Sequence, residues 1–264
     1  MEIYLLIDKA INASLLAGKK IMEVYASIDF MADIKEDQTP VTLGDRQAHK
    51  EIIKNLECTG LPVLSEEGIH LSYSERKNWD MFWLIDPLDG TKEFIKRNDE
   101  FTVNIALIQN GRPIAGVIYA PVTGELYAGI PETGAFKLKN PDENCTFHSM
   151  QLSGKKLPVK TEQTEFVIIV SRSHMNAKTE DYIENLRKEH KFIRIISKGS
   201  SLKMCMVAEG TANIYPKLGT TMEWDTAAAH AILKASGKNI FLTDLKTEIR
   251  YNKENLQNPH FIAV

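Results

Sequence analysis

The segment from Trp83 to Thr91 places two carboxylates, a proline and a Gly-Thr pair directly after an apolar run. The run Phe82 to Ile85 predicts a buried strand, so we expect Asp86 to leave it at the edge of a sheet. Proline fixes the backbone and removes a hydrogen-bond donor, which leaves the carbonyl of Leu88 free to turn inward between Asp86 and Asp89. Three hard oxygens of this kind suit Mg²⁺ or Mn²⁺.

The next two residues, Gly90 and Thr91, are expected to open a helix whose N-terminal amides bind a phosphate. A simpler interpretation is an Asp-Pro turn with a side-chain cap. For an isolated motif of this kind, the turn explains the residues about as well as a metal site does. The other acids of the chain therefore decide between a metal site and a turn.

Four further acidic residues flank predicted elements. Glu66 and Glu67 follow a short apolar strand at Leu61 to Leu64, Asp45 precedes an amphipathic helix, and Asp225 lies at the start of an alanine-rich helix. Each acid alone is explained as a loop residue or a helix cap. Their spacing does not show that they meet in space.

Three segments together resemble the Mg²⁺-dependent, Li⁺-sensitive phosphatases of the inositol monophosphatase family. They are Ser65-Glu66-Glu67, Asp86 to Thr91, and Trp224 to Ala228, in the order that the family has. Within the family, the chain looks most like the bacterial CysQ-type 3'(2'),5'-bisphosphate nucleotidases. That agreement rests on the strings Thr91 to Arg97, Glu100 to Leu107, Ser171 to His174, and Gly199 to Lys203. The resemblance covers nearly the whole chain and implies an α+β fold, a layered αβαβα sandwich.

The resemblance implies the following metal ligands. Glu66, Asp86 and the Leu88 carbonyl would hold one Mg²⁺, and Asp86, Asp89 and Asp225 would hold a second. A third Mg²⁺ would bind more weakly, so the site would hold two or three ions. Mn²⁺ would substitute for Mg²⁺. Two carboxylates about 4 Å apart repel by roughly 4 kcal/mol at an effective dielectric near 20, so such a cluster needs cations.

The resemblance also assigns residues to catalysis and to the substrate. Glu67, Thr91 and Asp45 would orient or deprotonate the attacking water. The substrate would contact Gly90, Thr91, Ser171, His174, Ser200, Lys203 and Asp225. Without the resemblance, the simplest interpretation of Lys203 is a solvated helix lysine, and that of His174 a surface or capping histidine.

The implied activity is Mg²⁺-dependent hydrolysis of adenosine 3',5'-bisphosphate (PAP) to AMP and phosphate in sulfur assimilation, with the corresponding 5'-phosphosulfate (PAPS) as a further substrate. Inositol-1-phosphate and sugar (bis)phosphates are alternatives within the family. A metal- or nucleotide-binding regulator without turnover is the alternative from another class. A haloacid-dehalogenase phosphatase is disfavoured because its two acids stand two positions apart, whereas Asp86 and Asp89 stand three apart.

Composition narrows the class of protein without identifying it. The chain of 264 residues with 43% hydrophobic content can bury a substantial core. A net charge of -3 with scattered lysines and arginines argues against a nucleic-acid partner. Three separated cysteines fit reduced thiols, and no export signal or membrane-spanning segment is evident. We expect a cytoplasmic monomer or homodimer with a small-molecule substrate; peripheral association with the inner membrane is left open.

The order of predicted elements suggests two lobes. A helix over Tyr4 to Tyr25 precedes the acidic segments, and short strands from Phe101 onward predict an antiparallel meander. Residues 137–163 are polar and predicted to be irregular, with a lobe boundary near residue 155. We therefore expect an α+β lobe at 1–155 with most metal ligands, and an α/β lobe at 156–264 with Asp225 and the residues on the nucleotide side.

Overall fold

The computed structural model describes residues 2–27, 33–34, 40–69, 71–159, 165–172 and 175–264. The helices in these ranges are α1 (Ile3–Tyr25), α2 (Leu43–Leu56), α3 (Tyr73–Arg76), α4 (Thr91–Ile95), α5 (Phe147–Ser153), α6 (Ala177–Glu189), α7 (Leu202–Glu209) and α8 (Glu223–Ala235). The strands are β1 (Asp33–Ile34), β2 (Pro40–Val41), β3 (Val63–Ser65), β4 (Met81–Asp89), β5 (Thr102–Gln109), β6 (Arg112–Ala120), β7 (Glu125–Ile130), β8 (Gly134–Lys139), β9 (Lys155–Leu157), β10 (Phe166–Ser171), β11 (Ile193–Lys198), β12 (Tyr215–Lys217), β13 (Ile240–Leu242) and β14 (Phe261–Ala263).

A sheet of seven strands, in the order β3-β4-β5-β6-β7-β8-β9, forms the centre of the fold. β3 runs parallel to β4, and every other neighbouring pair in this sheet is antiparallel. The meander predicted from Phe101 onward is confirmed by β5 to β8. Its strands follow one another through short turns, which is the usual way to join antiparallel neighbours.

Helices cover both faces of this sheet. On β4, Trp83 and Ile85 point into a core shared with α1 and α2, whereas Phe82 and Leu84 point into a second core shared with α7 and α8. This alternation is the two-residue period of a strand that is buried on both faces. Beyond α8 lie the parallel pair β10-β11 and the sheet β12-β14-β13, which α6 covers through Ile183. The layers are therefore αβαβα, as the family resemblance implied.

α8 lies unusually close to the central sheet because small residues line the contact. A Cβ atom added to Gly116 on β6 would come within 2.2 Å of the backbone oxygen of Ala228. Ala227, Ala228 and Ala229 on α8 are all buried. This close approach fixes the height at which the first turn of α8, which carries Asp225, stands above the sheet.

β4 does not end at Asp86 as predicted. It continues through Pro87 to Asp89, and the pairing with β5 resumes at Asp89 opposite Thr102. The register shifts between Asp86 and Asp89, so the proline lies in a bulge, where a missing donor does not break the ladder.

The prediction that residues 137–163 are irregular is wrong for the part that the structure describes. This part contains α5, whose first turn is capped by Thr146, and the edge strand β9. Phe147 and Met150 on α5 are fully buried, and this hydrophobic anchor is too short to give a clear helical period. Residue 155 is the first of β9, which pairs with β8. The division into two lobes at that point stays a prediction.

Two smaller expectations can be compared directly with the structure. Cys58, Cys145 and Cys205 are all free thiols, as expected, and Cys205 packs in the second core. Among the described helices, none has the length and apolar character needed to span a membrane.

Candidate active site

Ten of the thirteen predicted site residues line one cavity at the end of β4. The empty space in this cavity, counted out into the open mouth, is about 980 Å³. The predicted residues in its lining are Glu66, Asp86, Leu88, Asp89, Gly90, Thr91, Ser171, Ser200, Lys203 and Asp225. The structure thus brings together residues that are far apart in sequence.

Asp86 lies deepest among the acids of this cavity. Its side chain is 1% exposed, and its Oδ1 accepts a hydrogen bond of 3.1 Å from the backbone N–H of Leu88. Burial raises the pKa of Asp86 well above its ordinary value, and the nearby charges of Glu66, Asp89 and Asp225 raise it further. Burial and the charges of Asp89 and Glu66 also raise the pKa of Asp225. The cavity therefore concentrates negative charge that the folded chain does not fully compensate.

Asp225 is held by the first turn of α8. The backbone N–H of Met222 donates to its Oδ2 at 2.8 Å, which is the reciprocal half of a helix cap. The hydroxyl oxygen of Ser201 lies 3.0 Å from the backbone oxygen of Asp225. The start of α7 and the start of α8 therefore meet at this residue.

Asp89 accepts several hydrogen bonds on a single oxygen. Its Oδ2 receives the hydroxyls of Ser200 at 2.9 Å and Ser201 at 2.6 Å, and the amide of Asn104 at 3.4 Å. Asn104 lies on β5 directly opposite Asp86. These three donors fix the orientation of the Asp89 carboxylate.

The carboxylates that line the cavity fit Mg²⁺, because they are hard oxygen ligands with excess negative charge. Within the described ranges, however, no three His, Cys, Asp or Glu side chains form a group that could hold a metal ion as they stand. Oδ2 of Asp89 and Oδ2 of Asp225 accept hydrogen bonds instead. The ligand assignments therefore stay predictions.

Asp45 is not the residue before its helix, as predicted, but lies within the first turn of α2. Thr42 is the N-cap, and both its backbone N–H and its hydroxyl donate to Oδ2 of Asp45, at 2.7 and 2.6 Å. The hydroxyl of Thr91 lies 3.1 Å from Oδ1 of Asp45 and 3.3 Å from the oxygen of Leu88. Asp45 is therefore both a cap and a partner of the cavity residue Thr91.

Glu67 is not among the residues that line the cavity. Its backbone N–H donates to the hydroxyl of Ser65 at 3.3 Å, and that hydroxyl lies 2.9 Å from Nδ1 of His49. The charge of Glu67 is near enough to Asp45 to raise the pKa of that carboxyl. Glu67 and Asp45 therefore lie on the same side of the site.

Gly90 joins β4 to α4 in the left-handed region, with φ of 96°. A Cβ atom at this position would come within 2.9 Å of the backbone oxygen of Glu100, so both conformation and space require glycine. The helix predicted to open at Thr91 is confirmed as α4, which is a single short turn.

Two buried lysines line the same cavity as the acidic residues. Lys203 is 7% exposed and Lys217 is 6% exposed, so the interpretation of Lys203 as a solvated helix residue is wrong. The ammonium of Lys203 donates to the backbone oxygen of Ser200 and lies 5.5 Å from the ring centre of Tyr215. Burial lowers the pKa of Lys203 to about 8, and burial also lowers the pKa of Lys217. Two buried cations in one cavity favour an anionic ligand.

A buried carboxylate, that of Glu100, accepts hydrogen bonds from residues that line the cavity. Glu100 accepts two hydrogen bonds from Arg172, at 2.8 and 2.7 Å, one from Lys198 at 3.1 Å, and one from the N–H of Gly199 at 2.8 Å. Burial alone would raise the pKa of Glu100, but these hydrogen bonds outweigh it and hold the pKa below its ordinary value. Ser171, next to Arg172, lies 3.3 Å from the hydroxyl of Tyr215. His174 lies outside the described residues.

Comparison with known proteins gives the family. The family model of the inositol monophosphatase family matches residues 5–260. The chain belongs to the inositol monophosphatase family.

Relatives within the family are similar over their whole length. The chain is 42% identical to the 3'(2'),5'-bisphosphate nucleotidase CysQ of Escherichia coli strain K12 over 259 residues, which cover 97% of this chain and 98% of that protein. It is 43% identical to the protein of the same name from Salmonella typhimurium strain LT2, over 93% of this chain and 94% of that protein. The crystal structure of CysQ from Bacteroides thetaiotaomicron superposes with a TM-score of 0.91 at 46% identity, covering 99% of this chain and 98% of that one. The resemblance to CysQ-type members of the family is confirmed.

Sequence reasoning missed several residues of this family member's cavity. Lys217, Arg172 and Lys198 all line it, but none was assigned a role. Lys217 could have been found, because it is the one charged residue in the apolar run Ile214 to Leu218. Arg172 and Lys198 give no such signal, since their common partner Glu100 is remote in sequence.

Proposed function

We propose that this protein is a Mg²⁺-dependent phosphomonoesterase that hydrolyses adenosine 3',5'-bisphosphate to AMP and phosphate. The observation that carries the proposal is a single cavity lined both by five acidic residues and by the buried pair Lys203 and Lys217. The names of its whole-length relatives support the same activity. The reaction would remove a by-product of sulfate activation, with PAPS as a second substrate.

The acidic side of the cavity would hold the metal ions. Glu66, Asp86 and the Leu88 carbonyl would bind one ion, and Asp86, Asp89 and Asp225 a second, with a third, weaker site toward Asp45; Mn²⁺ would substitute. When bound, the ions supply positive charge that neutralises phosphoryl oxygens and lowers the pKa of a water. The concentrated negative charge around Asp86 supports this assignment, because cations would relieve it.

The residues next to the acidic wall would orient the water and the phosphate. Thr91 and Asp45 are already joined by a hydrogen bond, and Glu67 lies on the same side. We assign these three residues to positioning and deprotonating the attacking water. The backbone amides of Gly90 and Thr91 would hold phosphate oxygens at the start of α4.

The two buried lysines, Lys203 and Lys217, would bind the phosphate that is not cleaved. Lys203 and Lys217 are buried, and burial strengthens a charge-assisted hydrogen bond from either ammonium group to a phosphate oxygen. Ser171 and Ser200 also line the cavity. The role of His174 in this subsite stays a prediction.

A phosphate-release assay tests the proposal. Purified protein with Mg²⁺ is compared on adenosine 3',5'-bisphosphate, PAPS, inositol-1-phosphate and a sugar bisphosphate, with EDTA and Mn²⁺ as controls. We expect the adenosine bisphosphate to give the highest kcat/KM and EDTA to abolish turnover. A higher kcat/KM for inositol-1-phosphate would contradict the substrate assignment, and nucleotide binding without turnover would favour a regulator.

A further inference from the structure

Glu100 is a buried acid that has no place in the metal or substrate assignments above. It precedes β5 and is 7% exposed. Its four hydrogen bonds come from Arg172, which follows β10, from Lys198 at the end of β11, and from Gly199 after it. One carboxylate thus ties the central sheet to the ends of two strands in another layer.

The turn that follows Lys198 is strained. Ser200 has φ of 54°, in the left-handed region that a residue with a Cβ atom seldom adopts. Such a conformation persists only where the surroundings fix it. Glu100 fixes the turn through two contacts. The carboxylate of Glu100 accepts a hydrogen bond from the N–H of Gly199, and a Cβ atom added to Gly199 would come within 3.0 Å of the backbone oxygen of Glu100.

The strained turn directs two hydroxyls onto one oxygen. Ser200 and Ser201 both donate to Oδ2 of Asp89, and Asn104 adds a third donor. No described residue donates to Oδ1 of Asp89. The turn therefore determines which oxygen of Asp89 stays available to another ligand.

We propose that Glu100 is a positioning residue for the metal site. Its carboxylate holds the turn at Gly199, Ser200 and Ser201, and this turn orients Asp89 so that Oδ1 faces away from the hydroxyls and can coordinate Mg²⁺. The inference rests on the proposed function, because it assumes that Asp89 is a metal ligand. It assigns Glu100 an indirect role, through the serines.

A charged carboxylate is needed for this role. Both oxygens of Glu100 accept hydrogen bonds, Oε1 from Arg172 and Lys198, and Oε2 from Arg172 and Gly199. A glutamine offers only one acceptor and would turn its NH₂ group toward one set of donors. Glu100→Gln therefore keeps the shape of the side chain but breaks half of the contacts.

The test is Mg²⁺ binding by Glu100→Gln, measured by calorimetry with MgCl₂ alone and as the Mg²⁺ concentration that gives half-maximal activity. Loss of an outer partner of a metal ligand typically weakens metal affinity by about 10- to 100-fold, and we expect about tenfold here. The matched control is Glu209→Gln. Glu209 is a partly buried acid at the other end of α7 that accepts from Tyr127 and Lys137, and its loss should lower the Tm but leave Mg²⁺ affinity unchanged.

A second variant covers the case in which Glu100→Gln does not fold. Arg172 is partly exposed, so Arg172→Gln should fold, with a smaller loss of Mg²⁺ affinity, and Arg172→Lys should restore part of it. Variants that lower the Tm but bind Mg²⁺ like the wild type would overturn the inference while leaving the proposed function intact. Failure of the wild type itself to bind Mg²⁺ would overturn the proposed function and, with it, this inference.

Discussion

The hydroxyl of Thr91 lies 3.1 Å from Oδ1 of Asp45, so the first residue of α4 and the first turn of α2 are joined at the edge of the cavity. Asp45 is buried, and burial raises its pKa from 3.8 to about 6 although Thr42 donates two hydrogen bonds to it. The carboxyl is thus poised to titrate just below neutral pH when no metal is present.

This shift predicts a pH dependence of stability in EDTA. Between about pH 4 and pH 6 the folded protein keeps a proton on Asp45 that the unfolded chain has released, so the free energy of unfolding falls as the pH rises through this window. The shift in pKa corresponds to roughly 3 kcal/mol. Chemical denaturation of wild type and Asp45→Asn from pH 4 to 7 should show the difference between them changing by about this amount. A difference that does not vary with pH would refute the assignment.

Asp86→Asn should abolish turnover while the metal-free protein becomes at least as stable as wild type. The substitution removes a charge that both proposed metal ions need and also removes one member of a repelling cluster. Asp89→Asn should act in the same direction on activity. Turnover and Tm in EDTA are the two measurements, with the exposed Asp80→Asn at the other end of the strand as control. Retention of more than about a tenth of the activity would remove Asp86 from the ligand set.

Lys203→Ala should affect only substrates that carry a second phosphate. Loss of a charge-assisted contact of roughly 1.5 to 3 kcal/mol lowers kcat/KM by about 10- to 150-fold. Adenosine 3'-monophosphate, which lacks that group, should be hydrolysed by the variant at nearly the wild-type rate. Lys217→Ala should behave alike, and the exposed Lys139→Ala should change neither rate. Equal losses on both kinds of substrate would mean that Lys203 supports the fold or the metal site instead.

Lithium should inhibit the enzyme uncompetitively with respect to substrate. The family resemblance implies that Li⁺ occupies the site of Asp86, Asp89 and Asp225 after phosphoryl transfer and retains the product phosphate. kcat and KM should therefore fall together as LiCl replaces KCl at constant ionic strength, with NaCl as the second control. Competitive inhibition, or none, would contradict product trapping.

Local patterns predicted the parts of the structure that depend on neighbouring residues. The buried strand before Asp86, the helix at Thr91 and the meander after Phe101 all follow from periodicity and turn residues. The gathering of Glu66, Asp86 and Asp225 came from the family resemblance, because no periodicity links residues in different layers.

Other features lay beyond sequence reasoning because their partners are remote. The four contacts of Glu100 join it to residues 72 and more positions away, and no local signal marks either end. The helix α5 was missed because Phe147 and Met150 supply only one turn of apolar spacing. Lys217 was missed although a charge within a buried run is itself a signal.

The bulge in β4 also limits how the chain length can change at this point. Opposite Asp86 and Asp89 stand Asn104 and Thr102, which are two residues apart and therefore on one face of the sheet. Three residues of β4 match two of β5, and this extra residue is what brings both aspartates to the same side. Deleting one residue between them would restore a regular ladder and remove the bulge that holds Pro87. The bulge therefore fixes the spacing of the two aspartates at three residues.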